Sequence, residues 1–297
     1  MGEGSLWVLP FFIGRMLKYL VEGNCRLCPR NCKANRSRGR GLCKTSSKLE
    51  IASFNLHFGE EPPISGKNGS GTIFFAGCNM GCIYCQNYPI SQLKSAFREV
   101  EIDELADIMI RLQKRGAHNI NFVTPSHFAH LLVDAIELAR SKGLSIPIVY
   151  NTSSYDKEEV IYALEGYVDV YLGDLKYTDD KLSMELSGVN DYFDVATRAL
   201  KAMFNTKGRL VLEDGIAKQG LIVRHLVLPG CIENSKKALL WIRDNLPDVD
   251  VSVMFQYFPA YKAFLHPLIK RKISPDEYFE IVDFVHELGL KGYIQQV

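Results

Sequence analysis

From residue 72 onward, short apolar runs alternate with segments whose apolar residues recur every three or four positions. The runs are Thr72–Ala76, Asn119–Val123, Ile146–Asn151, Val168–Leu172, Leu221–Leu228 and Val251–Phe255. Each is rich in Val, Ile, Leu or Phe, as strands covered on both faces are. The periodic segments Asp103–Arg115, Phe128–Lys142, Lys157–Glu165, Asp191–Lys207, Glu233–Asn245 and Pro275–Leu288 predict helices with one buried face. Glycine follows many of them, where it would close the helix in the left-handed conformation. Ser274-Pro275-Asp276-Glu277 reads as a capping box with proline at the first helical position. Six strand–helix units in series imply a parallel sheet with right-handed crossovers. They are too few to close an eight-stranded barrel, so an open, TIM-like (βα)6 partial barrel fits, with a doubly wound α/β sheet as the alternative. Both place ligands beyond the carboxyl ends of the strands.

The first 71 residues break this pattern. Residues 26–48 carry eight Lys and Arg and no acid, Leu49–Phe58 reads as a strand, and residues 59–71 form a turn-rich connection. The expected division is a Cys-rich segment with its connection over 1–71 and the barrel over 72–297. Leu6–Leu20 is apolar but broken by Pro10, Gly14, Arg15 and Lys18. It predicts a helix packed on the body rather than a signal peptide or a membrane-surface helix.

Composition narrows the partners. The 297 residues are 47% hydrophobic and 23% charged with a formal net charge of +1. That balance provides no long-range field for nucleic acid. No apolar run is long enough to span a membrane. Seven of the eight cysteines fall into two tight groups, which points to metal rather than a disulfide scaffold. Such thiols need a reducing compartment, hence an expected cytoplasmic location in an organism living with little oxygen.

Cys78, Cys82 and Cys85 read C-x3-C-x2-C directly after the first predicted strand. A structural zinc site generally takes four protein ligands. Three thiolates in one loop suit three irons of a 4Fe–4S cluster, whose fourth iron is then open; electron-transfer clusters usually take four cysteines. Cys25, Cys28, Cys32 and Cys43 read C-x2-C-x3-C-x10-C and suit either zinc or a second, fully ligated cluster. The basic residues around them read first as a solvated face and second as an acid- or RNA-binding surface.

Three stretches together resemble the radical S-adenosylmethionine (SAM) superfamily, in a group related to the activating enzyme of pyruvate formate-lyase. They are Cys25-Arg26-Leu27-Cys28-Pro29-Arg30-Asn31-Cys32, His57-Phe58-Gly59-Glu60-Glu61-Pro62-Pro63 and Gly77 to Asn87. The resemblance implies a partial barrel whose open iron is chelated by the amino and carboxylate groups of SAM. It also implies reductive cleavage of SAM to a 5′-deoxyadenosyl radical. Asp174 and Lys176 match an Asp-Leu-Lys segment of the activating enzyme's fourth strand, and Arg224 matches an arginine of the fifth. Asn151 stands where that enzyme has an acid. Val123-Thr124-Pro125-Ser126 replaces an expected Gly-Gly-Glu, leaving Thr124 and Ser126 to offer oxygens to SAM. Tyr84 is expected beside the cluster or the adenine. Each polar residue has a plainer reading as the cap of a strand end. Gln256 and Tyr257 are candidates for a substrate pocket, His127 and His130 are read as helix-start residues, and Cys231 as an inert buried thiol. The function implied is hydrogen abstraction, from a glycine of a partner enzyme or, alternatively, from a small molecule or RNA. An electron donor such as flavodoxin or ferredoxin would feed it. A non-catalytic iron–sulfur electron carrier or metal-dependent binding module is the alternative from another class.

Overall fold

The computed structural model describes residues 16–295. Most of the apolar stretch 6–20 therefore lies outside the described residues; from its described end, Leu17 is buried in the core. In chain order the elements are β1 (Leu49–His57), α1 (Pro62–Ser65), β2 (Ser70–Phe75), α2 (Tyr88–Ser91), β3 (Arg98–Val100), α3 (Ile102–Lys114), β4 (Ile120–Val123) and α4 (Ala129–Ser141). They continue with β5 (Ile148–Thr152), α5 (Glu158–Ala163), β6 (Val170–Asp174), α6 (Asp180–Ser187), α7 (Tyr192–Lys207), β7 (Val211–Glu213) and β8 (Ile216–Leu226). The last are α8 (Ile232–Asn245), β9 (Asp250–Met254), α9 (Pro275–Glu287) and β10 (Gly292–Ile294).

One sheet runs in the order β10-β9-β8-β6-β5-β4-β2-β1-β3. From β2 to β10 the strands are parallel and follow chain order without reversal. A doubly wound sheet would reverse its order at a switch point, so this is the partial barrel, with its crossover helices on one face. β1 and β3 extend the β2 edge antiparallel, and β7 forms a hairpin on β8. All six predicted strands and six predicted helices are present, with shifted ends. Ile146–Asn151 begins instead at Ile148, because Pro147 has no N–H to give the ladder. Val168–Leu172 becomes Val170–Asp174, which brings Asp174 into the strand. The capping box forms: the Ser274 side chain accepts from the Glu277 N–H, and the Glu277 carboxylate accepts from the Ser274 N–H.

The concave face is layered. Register places Val149 beside Val170, and Leu172 beside Ile222. Ile64, from the single turn α1, packs among these four side chains and closes the floor of the barrel. Its carbonyl accepts from Asn119 Nδ2 at 2.7 Å. Burying an isoleucine this fully contributes about 1.5–3 kcal/mol. One row higher toward the carboxyl ends, Asp174 pairs with Arg224 and Arg224 with Ser252. Thus β6 and β8 each carry an apolar residue low in the barrel and an ionic one near its mouth.

Candidate functional site

The cysteine loop leaves β2 through Gly77, whose φ is +80°. A Cβ there would stand 2.4 Å from the Cys43 carbonyl oxygen, so glycine is required both by conformation and by the close approach. The loop is then fastened to the end of α6. The Gly81 N–H donates to Ser187 O at 3.1 Å and the Ile83 N–H to Leu186 O at 2.9 Å. Every sulfur has a polar neighbour. Met80 N–H donates to Cys78 Sγ at 3.3 Å, Ser187 Oγ donates to Cys82 Sγ at 2.9 Å, and Ser91 Oγ lies 3.2 Å from Cys85 Sγ. Burial, reinforced by the neighbouring Cys82, holds the metal-free thiols of Cys78 and Cys85 above the ordinary cysteine range. A bound metal reverses that balance, since coordinated thiols deprotonate.

The three cysteines face a cavity of about 230 Å³ that is also lined by Tyr84, Thr124, Asn151, Asp174, Lys176 and Arg224. These groups come from the ends of β2, β4, β5, β6 and β8, as a barrel mouth requires. Asp174 is at the centre. Its Oδ1 accepts from Arg224 Nε at 2.9 Å and its Oδ2 from Lys176 Nζ at 2.5 Å. Arg224 Nη2 also donates to Asn151 Oδ1 at 2.6 Å. Burial disfavours the Asp174 carboxylate, but the two cations outweigh it and hold the group below its ordinary value. Burial also disfavours the Lys176 ammonium, and Asp174 and Cys82 outweigh that and raise it. The side chains therefore carry two positive charges against one negative charge beside three sulfurs. Such a surface suits an anionic group, a ligand carboxylate included.

Ser126 alone of the ten residues expected there is absent from the cavity wall. It is buried behind it, with Oγ 3.3 Å from Thr152 Oγ1. Thr152 Oγ1 in turn donates to Asp156 Oδ2 at 2.5 Å. Thr124, with φ at +58°, turns the chain at the end of β4, and its N–H donates to Asn151 O at 2.9 Å. The Tyr84 hydroxyl points away into a hydrogen-bonded series through Tyr177 (2.6 Å) and Ser187 (2.6 Å) to Cys82. Gln256 lines the cavity, whereas Tyr257 packs against the Tyr84 ring with its hydroxyl on Ile269 O. His127 and His130 are buried, and Cys231 is a buried residue at the start of α8 whose thiol is pushed up to about 11 by burial. Sequence reasoning missed Met80, Asn87, Thr152, Ser153 and Met254 on the wall. Met80 and Asn87 were within reach, because they lie in or beside the cysteine motif. Tyr192 was also missed. Its hydroxyl accepts from the Lys176 N–H at 3.0 Å and lies 2.9 Å from Asp174 O, which fixes the end of β6.

Cys25, Cys28 and Cys43 are buried and Cys32 is half-buried. Burial, followed by the charges of Cys43, Cys25 and Cys32, pushes Cys28 up to about 12, so the four thiols share one neighbourhood. A Cβ on Gly41 would lie 3.2 Å from Cys43 Sγ and 3.5 Å from Cys32 Sγ, so glycine leaves the space between them clear. Among the described residues no three His, Cys, Asp or Glu side chains are grouped as a single-ion site. The two cysteine groups touch: the Cys78 N–H donates to Cys43 O at 3.2 Å.

Residues 72–219 match the family model described as the radical SAM superfamily. An uncharacterised protein of Methanocaldococcus jannaschii is 33% identical over 274 residues, covering 90% of this chain and 75% of that one. The chain belongs to the radical SAM superfamily. The pyruvate formate-lyase-activating enzyme of Staphylococcus epidermidis is a more distant relative, 21% identical over 206 residues, 65% of this chain and 75% of its own. Among solved structures, Streptococcus suis SuiB bound to its precursor peptide SuiA superposes with a TM-score of 0.51 at 15% identity. That match covers 74% of this chain but only 46% of SuiB, and at this identity it speaks to the fold alone. Among the described residues no helix is long and apolar enough to cross a membrane.

Proposed function

We propose that this radical SAM protein cleaves SAM reductively and uses the resulting 5′-deoxyadenosyl radical to abstract hydrogen from a substrate. The observation that carries the reading is one cavity lined by three cysteines, the Asp174–Lys176–Arg224 ion cluster and the ends of β4, β5 and β9. The donor set fits a cluster held by Cys78, Cys82 and Cys85: each sulfur has a polar partner, and no fourth cysteine lines the cavity. When bound, the cluster and SAM supply the one-electron chemistry. The protein's own residues bind and orient. Asp174, held ionised, fixes the Lys176 ammonium beside the cysteine loop, where its positive charge favours the thiolates of Cys78 and Cys85. Arg224 ties β5, β6 and β8 together through Asn151 and Asp174. Tyr84, Leu226 and Met254 supply apolar wall that excludes water from the reacting carbon.

Cys25, Cys28, Cys32 and Cys43 form, on this reading, a second metal centre, either zinc or a cluster; in the structure as described they are not grouped for a single ion, so zinc would need the four thiols to draw together. The centre is supported by the burial of Cys25, Cys28 and Cys43 and by the clear space at Gly41. The distant relative supports a version in which the hydrogen comes from a backbone glycine of a partner enzyme. The test is anaerobic reconstitution followed by dithionite and SAM. 5′-Deoxyadenosine should appear, with about four irons per chain for one cluster or about eight for two. An intact cluster that yields no 5′-deoxyadenosine would sink the radical reading. Deuterium carried from a labelled glycine of a candidate partner into 5′-deoxyadenosine would establish the activase version.

A further inference from the structure

The His57–Pro63 stretch, part of the family resemblance, is not used by the chemistry above. Its place in the fold is informative. β1 runs antiparallel to β2, so His57 lies opposite Ser70, at the floor of the barrel and far from the cysteines. The chain then turns through Gly59, Glu60 and Glu61 into α1, which plugs the floor with Ile64. Glu60 and Glu61 line a second cavity, of about 440 Å³, with Ser252, Tyr293 and Gln295. Arg224, Met254 and Gln256 line this cavity and the cysteine cavity alike. The two are therefore neighbouring chambers that share one wall.

The lower chamber holds two carboxylates beside one guanidinium, Arg224. Glu60 has two nitrogen neighbours, His57 Nδ1 at 3.3 Å from Oε1 and Arg224 Nη1 at 3.6 Å from Oε2. Glu61 is only 7% exposed, and its Oε2 has no hydrogen-bond partner. The nearby guanidinium gives Nε to Asp174 and Nη2 to Asn151 and makes no hydrogen bond to Glu61. A buried carboxylate with a free oxygen is costly unless a partner arrives. The surrounding wall is polar and apolar but brings no further cation: Pro62, Met254, Tyr293, Ile294 and Gln295.

We propose that the lower chamber is the substrate site and that it selects an organic cation, whose ammonium or guanidinium group is held by Glu61 with Glu60 beside it. The volume lies within the range of small-ligand pockets. Anchored at the floor, such a molecule points its carbon chain toward the wall shared with the cysteine cavity. This assignment deepens the SAM reading of the upper cavity and rests on it for the reaction, but not for binding.

The test uses the full-length, anaerobically reconstituted protein and saturation-transfer NMR. The probes are n-butylammonium and n-butylguanidinium, with neutral 1-pentanol and anionic butyrate as comparators. The cations should bind at least about tenfold more tightly than 1-pentanol, the size expected for a charge-assisted hydrogen bond. Glu61→Gln should abolish that preference and Glu61→Asp should retain it. Equal binding of cation and alcohol by the unmodified protein overturns the proposal, as does a folded Glu61→Gln protein that keeps the preference. Nα-acetyl-lysine N-methylamide separates the sources of the cation. Tighter binding than n-butylammonium points to a lysine side chain in a polypeptide, and weaker binding to a free amine. Loss of 5′-deoxyadenosine formation with the cation preference intact would remove the SAM reading and leave this site standing. The converse would remove only this site.

Discussion

The two cysteine groups meet at Gly77, yet their surroundings differ. Cys78, Cys82 and Cys85 sit on a loop whose sulfurs line a cavity together with charged residues from several strands. Cys25, Cys28 and Cys43 are buried in a segment held by its own turns, with the Cys25 N–H on Ala34 O and the Lys33 N–H on Cys25 O, both at 3.0 Å. The ligand atoms are the same in both groups, and access differs. A thiol group that opens on a cavity leaves room for a substrate beside its metal. On the reading proposed above, a group of four thiols would saturate a bound metal, which would stabilise the chain or relay electrons.

The largest effect should come from breaking the open group alone. Cys82→Ala should lower 5′-deoxyadenosine formation at least about a hundredfold, by removing a cluster ligand rather than a single supporting contact. Cys28→Ser should remove the metal of the enclosed group while the open group still binds iron and cleaves SAM. Metal analysis beside product quantification separates the two. Equal loss of both metals in both variants would mean that the groups act as one site.

Gly77→Ala tests the junction. The added Cβ would meet the Cys43 carbonyl at 2.4 Å, on a backbone with φ of +80°. Urea unfolding should show a loss of about 2–4 kcal/mol, the range of strained backbone combined with overpacking. A loss below about 0.5 kcal/mol, the usual scale of a surface substitution, would show that the loops do not depend on this contact.

Acid should act on the same junction. His127 Nε2 lies 2.9 Å from Ala76 O, below the open group, and the His127 carbonyl accepts from Arg36 Nη1 at 2.7 Å, beside the enclosed group. Burial, aided by Arg36, lowers His127 to about 3; away from this junction, burial lowers His225, whose ring lies between Leu175 O and Ser235 Oγ, to about 4. Both stay neutral in the fold while the unfolded chain takes up protons below about 6.5. Their contribution is therefore complete above that value and is lost as pH falls toward the folded values. At about pH 5 the expected loss is on the order of 2 kcal/mol per histidine. A stability flat from pH 7 to 5 would contradict this, and His127→Gln should flatten the curve in part.

How far the sequence reaches depends on what holds each part. The six buried strands and their helices follow from local apolar patterning, and the cysteine spacing places the open group. Asp174, Lys176 and Arg224 were legible through resemblance and strand ends together. The short elements were not. β10 has three residues, and it pairs because Gly292 admits the Val251 carbonyl where a Cβ would stand 2.0 Å from it. Tyr177 and Tyr192 act through hydroxyls that reach across the fold to Ser187 and Lys176, contacts that carry no periodic signal. The floor of the barrel was hidden for the same reason: α1 is a single turn, and Glu61 gains meaning only beneath Arg224.

The smallest predicted effect concerns the bridge that lets the enclosed group support the open one. Arg30 lies in the first cysteine motif, but its guanidinium serves the second. Nε donates to Asn79 O at 2.7 Å, inside the cluster loop, and Nη1 donates to Gly188 O at 2.6 Å, just past α6. The group also lies 5.8 Å from the centre of the Tyr155 ring. Arg30→Ala should therefore cost about 1–2 kcal/mol in stability, the scale of charge-assisted hydrogen bonds at a half-exposed site. Its effect on activity should be several-fold at most, because no ligand is lost. Arg30→Lys should recover little, since one ammonium cannot reproduce a planar donor that spans two carbonyls. Full recovery by lysine would show that the enclosed group supports the open one through charge alone.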